Sequence, residues 1–372
     1  MNRTWRNWVP AVAVTAVVGA GALVVPLTAN AAVDLPDLSA AEVLELAAGH
    51  SVDTLSGTVE QTSDLGLPDL SLIGGAGGGG VGAGPAPGGE PDGAASPESA
   101  ALELLTTPHT ARVFLSGPSQ ARIQVMDQMA ERNIILNGGD LWFYDSEDNS
   151  VVHATLQDHE AALTDLPDIP TPDQLATLFL EKVDPSTELT VGPDRSVAGR
   201  AAYQLIMTPR ADETLVGAIT IDVDADTGFP LAVSVAATGG STPAFSAAYT
   251  DISFDAPLAE TFDFTPPAGA TVTETPERAG HSKPDSNSLD EYSQDNAEPT
   301  VTGSGWESVV EFPAGAFPTD NPEMTGMLDQ LSTPVNGGQL LQTRLVNILL
   351  ADDGRVLVGS VPADRLQAAA DE

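Results

Sequence analysis

The stretch Asn137-Gly138-Gly139-Asp140-Leu141-Trp142-Phe143-Tyr144-Asp145 decides how the chain is read. Asparagine followed by two glycines signals a tight turn, because a two-residue hairpin needs positive φ and glycine reaches it without a Cβ penalty. Three aromatic residues then follow in a row. Successive side chains of a strand point to opposite faces. Trp142 and Tyr144 therefore share one face and Phe143 takes the other, so cover is expected on both faces of a sheet at this point.

Working outward, residues 111–116, 121–127 and 132–137 read as three short strands before this stretch, and 151–156 pairs back onto it across the turn 146–150. Val113 and Leu115 share a face, as do Ile123 with Val125 and Ile134 with Leu136. Short connections between such strands imply an antiparallel meander. Further upstream, Ser39-Ala40-Ala41-Glu42 is a capping box opening an amphipathic helix, and a strand over 54–62 follows, with Leu55, Gly57 and Val59 on one face. Residues 65–97 dissolve into Gly, Pro and Ala, and 74–97 is expected to be a disordered hairpin insertion. The G-x-G-x-x-G matches inside it are trivial in that composition and lack the strand–helix context of a nucleotide loop.

Downstream, Thr171-Pro172-Asp173-Gln174 is a second capping box with proline at the first helical position; Leu175, Leu178, Phe179 and Val183 form an apolar stripe on the helix it opens. Six more strands are expected, at 188–191, 201–208, 216–224, 230–237, 244–254 and 261–265. Residues 268–300 read as an acidic linker, and 301–372 as a small α+β module of its own. In that module, strands are expected at 306–312, 340–350 and 355–361, with helices at 322–331 and 363–370.

The charge balance excludes several partners. The chain carries 14 basic and 53 acidic residues, a net charge of −39. Such a surface repels nucleic-acid backbones and anionic headgroups. The absence of cysteine excludes disulfides, thiol catalysis and a lipidated N-terminal cysteine. Arg3 and Arg6, an apolar run over 9–27 and Ala29-Asn30-Ala31 fit an export signal occupying 1–31; an uncleaved membrane anchor is the alternative.

No constellation for catalysis emerges. Asp222-Val223-Asp224-Ala225-Asp226-Thr227-Gly228 begins like a calcium loop, but the sixth position is Thr227 and the twelfth Val233, where glycine and glutamate are needed. A β-turn is the better reading. His50, His109, His153, His159 and His281 show no metal-ligand spacing, and no G-x-S-x-G elbow exists. Neither a cofactor nor an enzymatic activity is expected. What remains is architecture: a long meander with one apolar face and two amphipathic helices to pack on it. Each acyl CH₂ removed from water contributes about 0.8 kcal/mol, so two long acyl chains represent on the order of 20 kcal/mol, which is why lipid needs a shielding carrier.

In motif order the chain resembles the LolA-like superfamily, which includes lipoprotein carriers, RseB-type sensors and mycobacterial lipid-binding lipoproteins. Asn137–Asp145 resembles its D-G-x-x-L-W-x-Y stretch; Thr58-Val59-Glu60-Gln61, Gly117-Pro118 and Asp224–Pro230 resemble other short segments, over roughly 34–267. The resemblance implies an α+β fold: an antiparallel half-barrel, or incomplete β-barrel, covering helices, with an apolar cavity between. Candidate cavity-lining residues are then Val59, Val113, Leu115, Ile123, Val125, Ile134, Leu136, Trp142, Tyr144, Leu175, Leu178 and Phe179. The implied ligands are lipid or lipoprotein acyl chains, in a monomeric, exported envelope protein. The alternative the resemblance allows is an RseB-like regulator that binds a membrane transporter or an anti-sigma factor. Gly117 stands where some carriers have a latch arginine. Scarce lysine and Gly/Pro/Ala-rich linkers suit an actinobacterial source.

Overall fold

The structure, a computed structural model, describes residues 34–66, 108–126, 130–156, 171–181, 183, 185–278, 299–315 and 331–371. The chain divides into two units, Met1–Asp34 and Leu35–Glu372, and every element described belongs to the second. The proposed export signal, the insertion at 74–97 and nearly all of the helix expected at 322–331 lie outside the described residues.

One large sheet dominates. Its strands are β1 (Thr54–Ser63), β2 (His109–Ser116), β3 (Gln120–Met126), β4 (Glu131–Asn137), β5 (Asp140–Asp145), β6 (Ser150–Leu156), β7 (Thr187–Val191), β8 (Arg195–Val197), β9 (Arg200–Pro209), β10 (Val216–Asp224), β11 (Pro230–Ala237), β12 (Pro243–Ser253) and β13 (Thr271–Arg278). The spatial order is β13-β6-β5-β4-β3-β2-β1-β12-β11-β10-β9-β7, with β8 paired to β9. The two ends of this path do not meet, so the sheet is open. β1 is its seam: it pairs antiparallel with β2 on one side and with β12 on the other, which joins the early meander to the late one. Gly138, at φ 65°, makes the turn between β4 and β5, as its sequence requires.

Two helices are described beside this sheet, α1 (Ala40–Ala48) and α2 (Pro172–Glu181). The Ser39 capping box forms as expected: the Glu42 amide donates to the Ser39 hydroxyl, and the Ser39 amide donates to the Glu42 carboxylate at 2.8 Å. At α2 the Thr171 amide donates to Gln174 Oε1 at 3.2 Å. Val43 and Ala47 of α1 and Ala176 of α2 are buried in one core with Leu205, Ile219, Ile221, Leu231, Val233, Ala247 and Tyr249. The helices therefore sit on the β7–β12 half of the sheet, α1 chiefly over β7, β9 and β10, and α2 chiefly over β11 and β12.

Four expectations need correction. Residues 271–278, read as linker, form β13, the one parallel strand among those described, paired to β6 from Thr271↔Ser150 to Thr275↔Ala154. The strand expected at 261–265 is instead a short 3-10 helix, Ala259–Phe262, within a strap (residues 255–270) that crosses the outer face of β3–β5. Proline, acids and a single buried Phe262 suit a covering segment with no neighbour to pair with. Trp306 lies in a 3-10 turn, so the strand there begins only at Val309. The run 340–350 is two strands, broken where the Thr343 hydroxyl accepts the amides of Leu345 and Val346.

The C-terminal residues form a second sheet: β14 (Thr300–Thr302), β15 (Val309–Phe312), β16 (Thr333–Val335), β17 (Gly338–Gln342), β18 (Asn347–Ala351) and β19 (Val356–Gly359), ordered β14-β15-β19-β18-β17-β16, with α3 (Ala363–Ala370) on one face. This sheet does not stand apart. The Leu215 amide donates to the Ser360 carbonyl at 2.8 Å, the Arg344 amide to the Leu65 carbonyl at 2.8 Å, and the Trp306 indole to the Thr187 hydroxyl at 2.9 Å. Leu345 is buried in the main core, with Trp306 and Val346 packed against it.

Candidate functional site

Register builds the site. Residues paired directly across antiparallel strands point to the same face. The pairs Gly57↔Val113, Val113↔Ile123, Ile123↔Ile134, Ile134↔Phe143 and Phe143↔Val152 make one continuous row from β1 to β6. A parallel row runs Leu55, Leu115, Ala121, Leu136, Leu141, Ala154, and a third starts Val59, Ala111, Val125 before turning polar at Arg132, Asp145 and Ser150. Across the seam, Tyr249 pairs with Val59 and Ala247 with Gln61. This inner face is thus the face on which α1 and α2 pack, continued over the other half of the sheet.

Most of the candidate lining residues belong to this inner face or are packed on its core. Val59 and Val113 are buried in the core that holds the helices, with Leu115 packed against it. Ile123, Val125 and Ile134 form a second apolar cluster with Ala111, flanked by Leu141 and Phe143. Leu136 is fully buried. Leu175 and Phe179 of α2 are half-buried against the main core, whereas Leu178 is 57% exposed. The four-residue spacing from Leu175 to Phe179 marks the packed side of the helix, and Leu178 falls beside it.

Trp142 and Tyr144 are the misplaced pair. Trp142 is opposite Ile135 and Tyr144 opposite Asn133, which puts both on the outer face. There Phe264 of the strap meets Trp142 at 5.5 Å and Tyr144 at 5.9 Å between ring centroids, and Arg122 donates to the Thr261 carbonyl at 2.9 Å. Phe143 and Leu141 hold the inner positions instead. The alternation was legible in the sequence; the family resemblance named Trp142 and Tyr144 but did not say which face of the strand is the inner one.

The polar groups near this face are structural. Asp224, fully buried, organises the turn from β10 to β11: its Oδ1 accepts the Thr227 amide and hydroxyl, each at 2.8 Å, and Arg200 Nη2 at 2.9 Å. Burial alone would raise its pKa; the bonds from Arg200 and Thr227 outweigh this and hold the carboxyl below the usual range. The calcium-like segment is therefore a turn whose central carboxylate is already occupied. Gly228, at φ 75°, lets that turn approach α1 so closely that a Cβ would strike the Leu46 carbonyl. Between α1, α2 and β12, burial pushes the Asp173 carboxyl up and the neighbouring Tyr249 phenol well up. Among the described residues no group of three His, Cys, Asp or Glu side chains is placed to hold a metal. No described helix is long and apolar enough to cross a membrane.

An open groove of about 460 Å³ lies where the second sheet meets the first, lined by residues 237–242, Leu215, Thr343 and Arg344. Thr238, Ser241, Thr242 and Thr343 line it, and Arg344 is paired with Asp64 at 2.6 Å, so it lacks the dry wall an acyl chain needs.

No family model and no curated protein matches the sequence. Among solved structures, the chain is similar to the Pseudomonas aeruginosa MucA/MucB complex at 14% identity, covering 89% of this chain and 95% of that one, with a TM-score of 0.37. It is similar at 11% identity to a LolA superfamily protein from Nitrosomonas europaea, covering 61% of this chain and 99% of that one, with a TM-score of 0.23. A DUF1329 family protein from Desulfovibrio piger is similar at 11% identity, covering 60% of this chain and 96% of that one, with a TM-score of 0.21.

Proposed function

We propose that this chain is a non-enzymatic, exported envelope protein that binds lipid or lipoprotein acyl chains against the inner face of a LolA-like half-barrel. The observation that carries the reading is the extent of that face. Apolar rows run through β1–β6, whereas α1 and α2 have their main contacts on β7 and β9–β12. The sheet is longer than the two described helices packed on it, and the apolar cluster beyond them, Ala111, Ile123, Val125 and Ile134, is buried within the chain, so acyl chains would enter there by displacing what now covers it. The motif resemblance to the LolA-like superfamily points the same way. The experiment is native mass spectrometry of protein purified from the organism that makes it, followed by solvent extraction. Acyl-bearing adducts are expected; uniformly empty protein overturns the proposal. Val125→Trp, at the centre of the second cluster, is expected to lower acyl loading several-fold. Equal loading with a large fall in melting temperature would identify this cluster as plain core, since overpacking costs about 1–3 kcal/mol.

The second reading is an RseB-like regulator in which the second sheet takes a protein partner, a transporter or an anti-sigma factor. The direct bonds from Leu215, Arg344 and Trp306 favour it, because they tie the second sheet to the sheet proposed to take acyl chains. Disrupting the second sheet would then abolish capture of one membrane protein while acyl loading persists; a partner retained by that variant would exclude this reading.

A further inference from the structure

We propose that His153 is a pH-dependent clasp that fastens the edge strand β13, and through it the strap, to the end of the large sheet. The clasp is independent of any cargo. β13 is weakly held for three reasons. Among the described strands it has a partner on one side only, at the end of the strand order. It is parallel where its neighbours are antiparallel, and parallel pairing is slightly less stable per residue. Its regular pairs stop at Thr275, before Pro276, which has no amide to donate. Among the described residues, the side chain of His153 spans the gap. His153, on β6, lies between Asp140 of β5 and Glu274 of β13: Nε2 is 3.0 Å from Asp140 Oδ1 and Nδ1 is 2.7 Å from Glu274 Oε2. The imidazole is held flat by Trp142, stacked at 3.8 Å between ring centroids and 14° between planes. Trp142 in turn carries Phe264 of the strap.

Only the imidazolium can donate to both carboxylates at once; the neutral ring donates to one and leaves the other facing a lone pair. Burial opposes the charge, but the bonds and charges of Asp140 and Glu274 outweigh it, and the His153 pKa is raised. These two carboxylates are the charged groups facing the ring from β5 and β13, and the third side is the Trp142 indole. A raised histidine pKa contributes stability that is complete below the ordinary value of about 6.5 and is lost as pH rises through the raised one. β13 is therefore closed in acid and loosened on the alkaline side.

The test is amide hydrogen exchange by mass spectrometry on the full chain, between about pH 6 and pH 9, corrected for intrinsic exchange. In the wild type, peptides covering 271–278 are expected to lose several-fold protection as pH rises, while peptides from β10 and β11 keep theirs. His153→Gln, which has no titratable proton, is expected to remove the pH dependence, and Glu274→Gln, at an exposed position, to reduce it. Protection of β13 that is flat with pH in the wild type overturns the proposal. So does a His153→Gln protein, folded by circular dichroism, that keeps the same pH dependence. Titration of the His153 ring by NMR supplies the second measurement: a value at or below that of free histidine also overturns it.

Discussion

Gly57→Ala tests the packing at the seam of the sheet. Gly57 sits on β1 opposite Val113 and Ile252, beside a register shift between Thr58 and Val59 in the pairing with β12. A Cβ there would lie 2.8 Å from the Asp251 carbonyl oxygen and 2.8 and 2.9 Å from Tyr249 Cδ1 and Cε1. Comfortable carbon contacts lie near about 3.5–4.0 Å, so something must give by about 0.7 Å or more. Neither neighbour gives readily. The Asp251 oxygen is backbone, and the Tyr249 ring is 2% exposed with Phe229 packed at 5.9 Å between centroids. Overpacking of this kind costs about 1–3 kcal/mol, and the smaller entropy of an unfolded alanine returns about 0.4–1 kcal/mol. A net loss of about 1–2 kcal/mol is expected, or roughly 2–8 °C in Tm for a domain of this size. Urea unfolding followed by tryptophan fluorescence reads it. Tyr249→Leu should relieve part of the clash, so the double variant should lose less than the two single losses together. An unchanged or raised Tm for Gly57→Ala would refute the reasoning, because the ring over β1 would then have room to move.

Other perturbations bear on separate parts of the molecule. Asp224→Asn should destabilise by about 3 kcal/mol, since it leaves Arg200 without its buried partner. Because the Asp224 pKa is lowered, its contribution is present above the ordinary aspartate value of about 3.9 and lost as pH falls through the lowered one. The same Asp224→Asn variant should therefore flatten the acid limb of the stability curve, and an unaltered limb would count against this. Phe262→Ala, at the buried residue of the strap, should cost about 3–5 kcal/mol and red-shift tryptophan emission as the loosened strap lifts Phe264 from Trp142. Trp306→Phe removes the indole bond to Thr187; a loss of about 1 kcal/mol with faster proteolysis around residues 299–315 is expected, and unchanged cleavage would argue that the junction holds without it.

Much of the fold was legible because its signals are local. Alternation paired Val113 with Leu115, Ile123 with Val125 and Ile134 with Leu136 within their strands, and register sets Val113, Ile123 and Ile134 in one row across them. Asp226-Thr227-Gly228 announced a turn, and one forms there, closed by the Gly228 amide on the Asp224 carbonyl and by the Thr227 amide and hydroxyl on the Asp224 carboxylate. What escaped depends on contacts distant in sequence. β13 reads Thr-Val-Thr-Glu-Thr-Pro-Glu-Arg, with a single apolar residue in its paired part. An edge strand held by backbone pairing needs no apolar alternation, so composition made it a linker. The junction of the two sheets rests on Leu345, buried in a core whose other members come mostly from residues 43–249. His153 meets Glu274 across 121 residues, a spacing no motif encodes.

The outer face explains why the aromatic stretch misled in one respect and informed in another. A strand buried on one face should alternate apolar and polar, yet β5 reads Asp-Leu-Trp-Phe-Tyr-Asp, apolar on both faces. Two covers are therefore required. The strap supplies the outer one: Phe262 is buried and Phe264 lies on Trp142 and Tyr144. Leu141 and Phe143 face inward beside Ile134, where no comparably large contact with α1 or α2 forms. If acyl chains cover that side, as proposed, then loading should protect β4 and β5 amides from exchange without altering the strap. If the chain itself covers it, extraction of lipid should leave their protection unchanged. The same strand thus carries a fixed cover on one side and the test of cargo on the other.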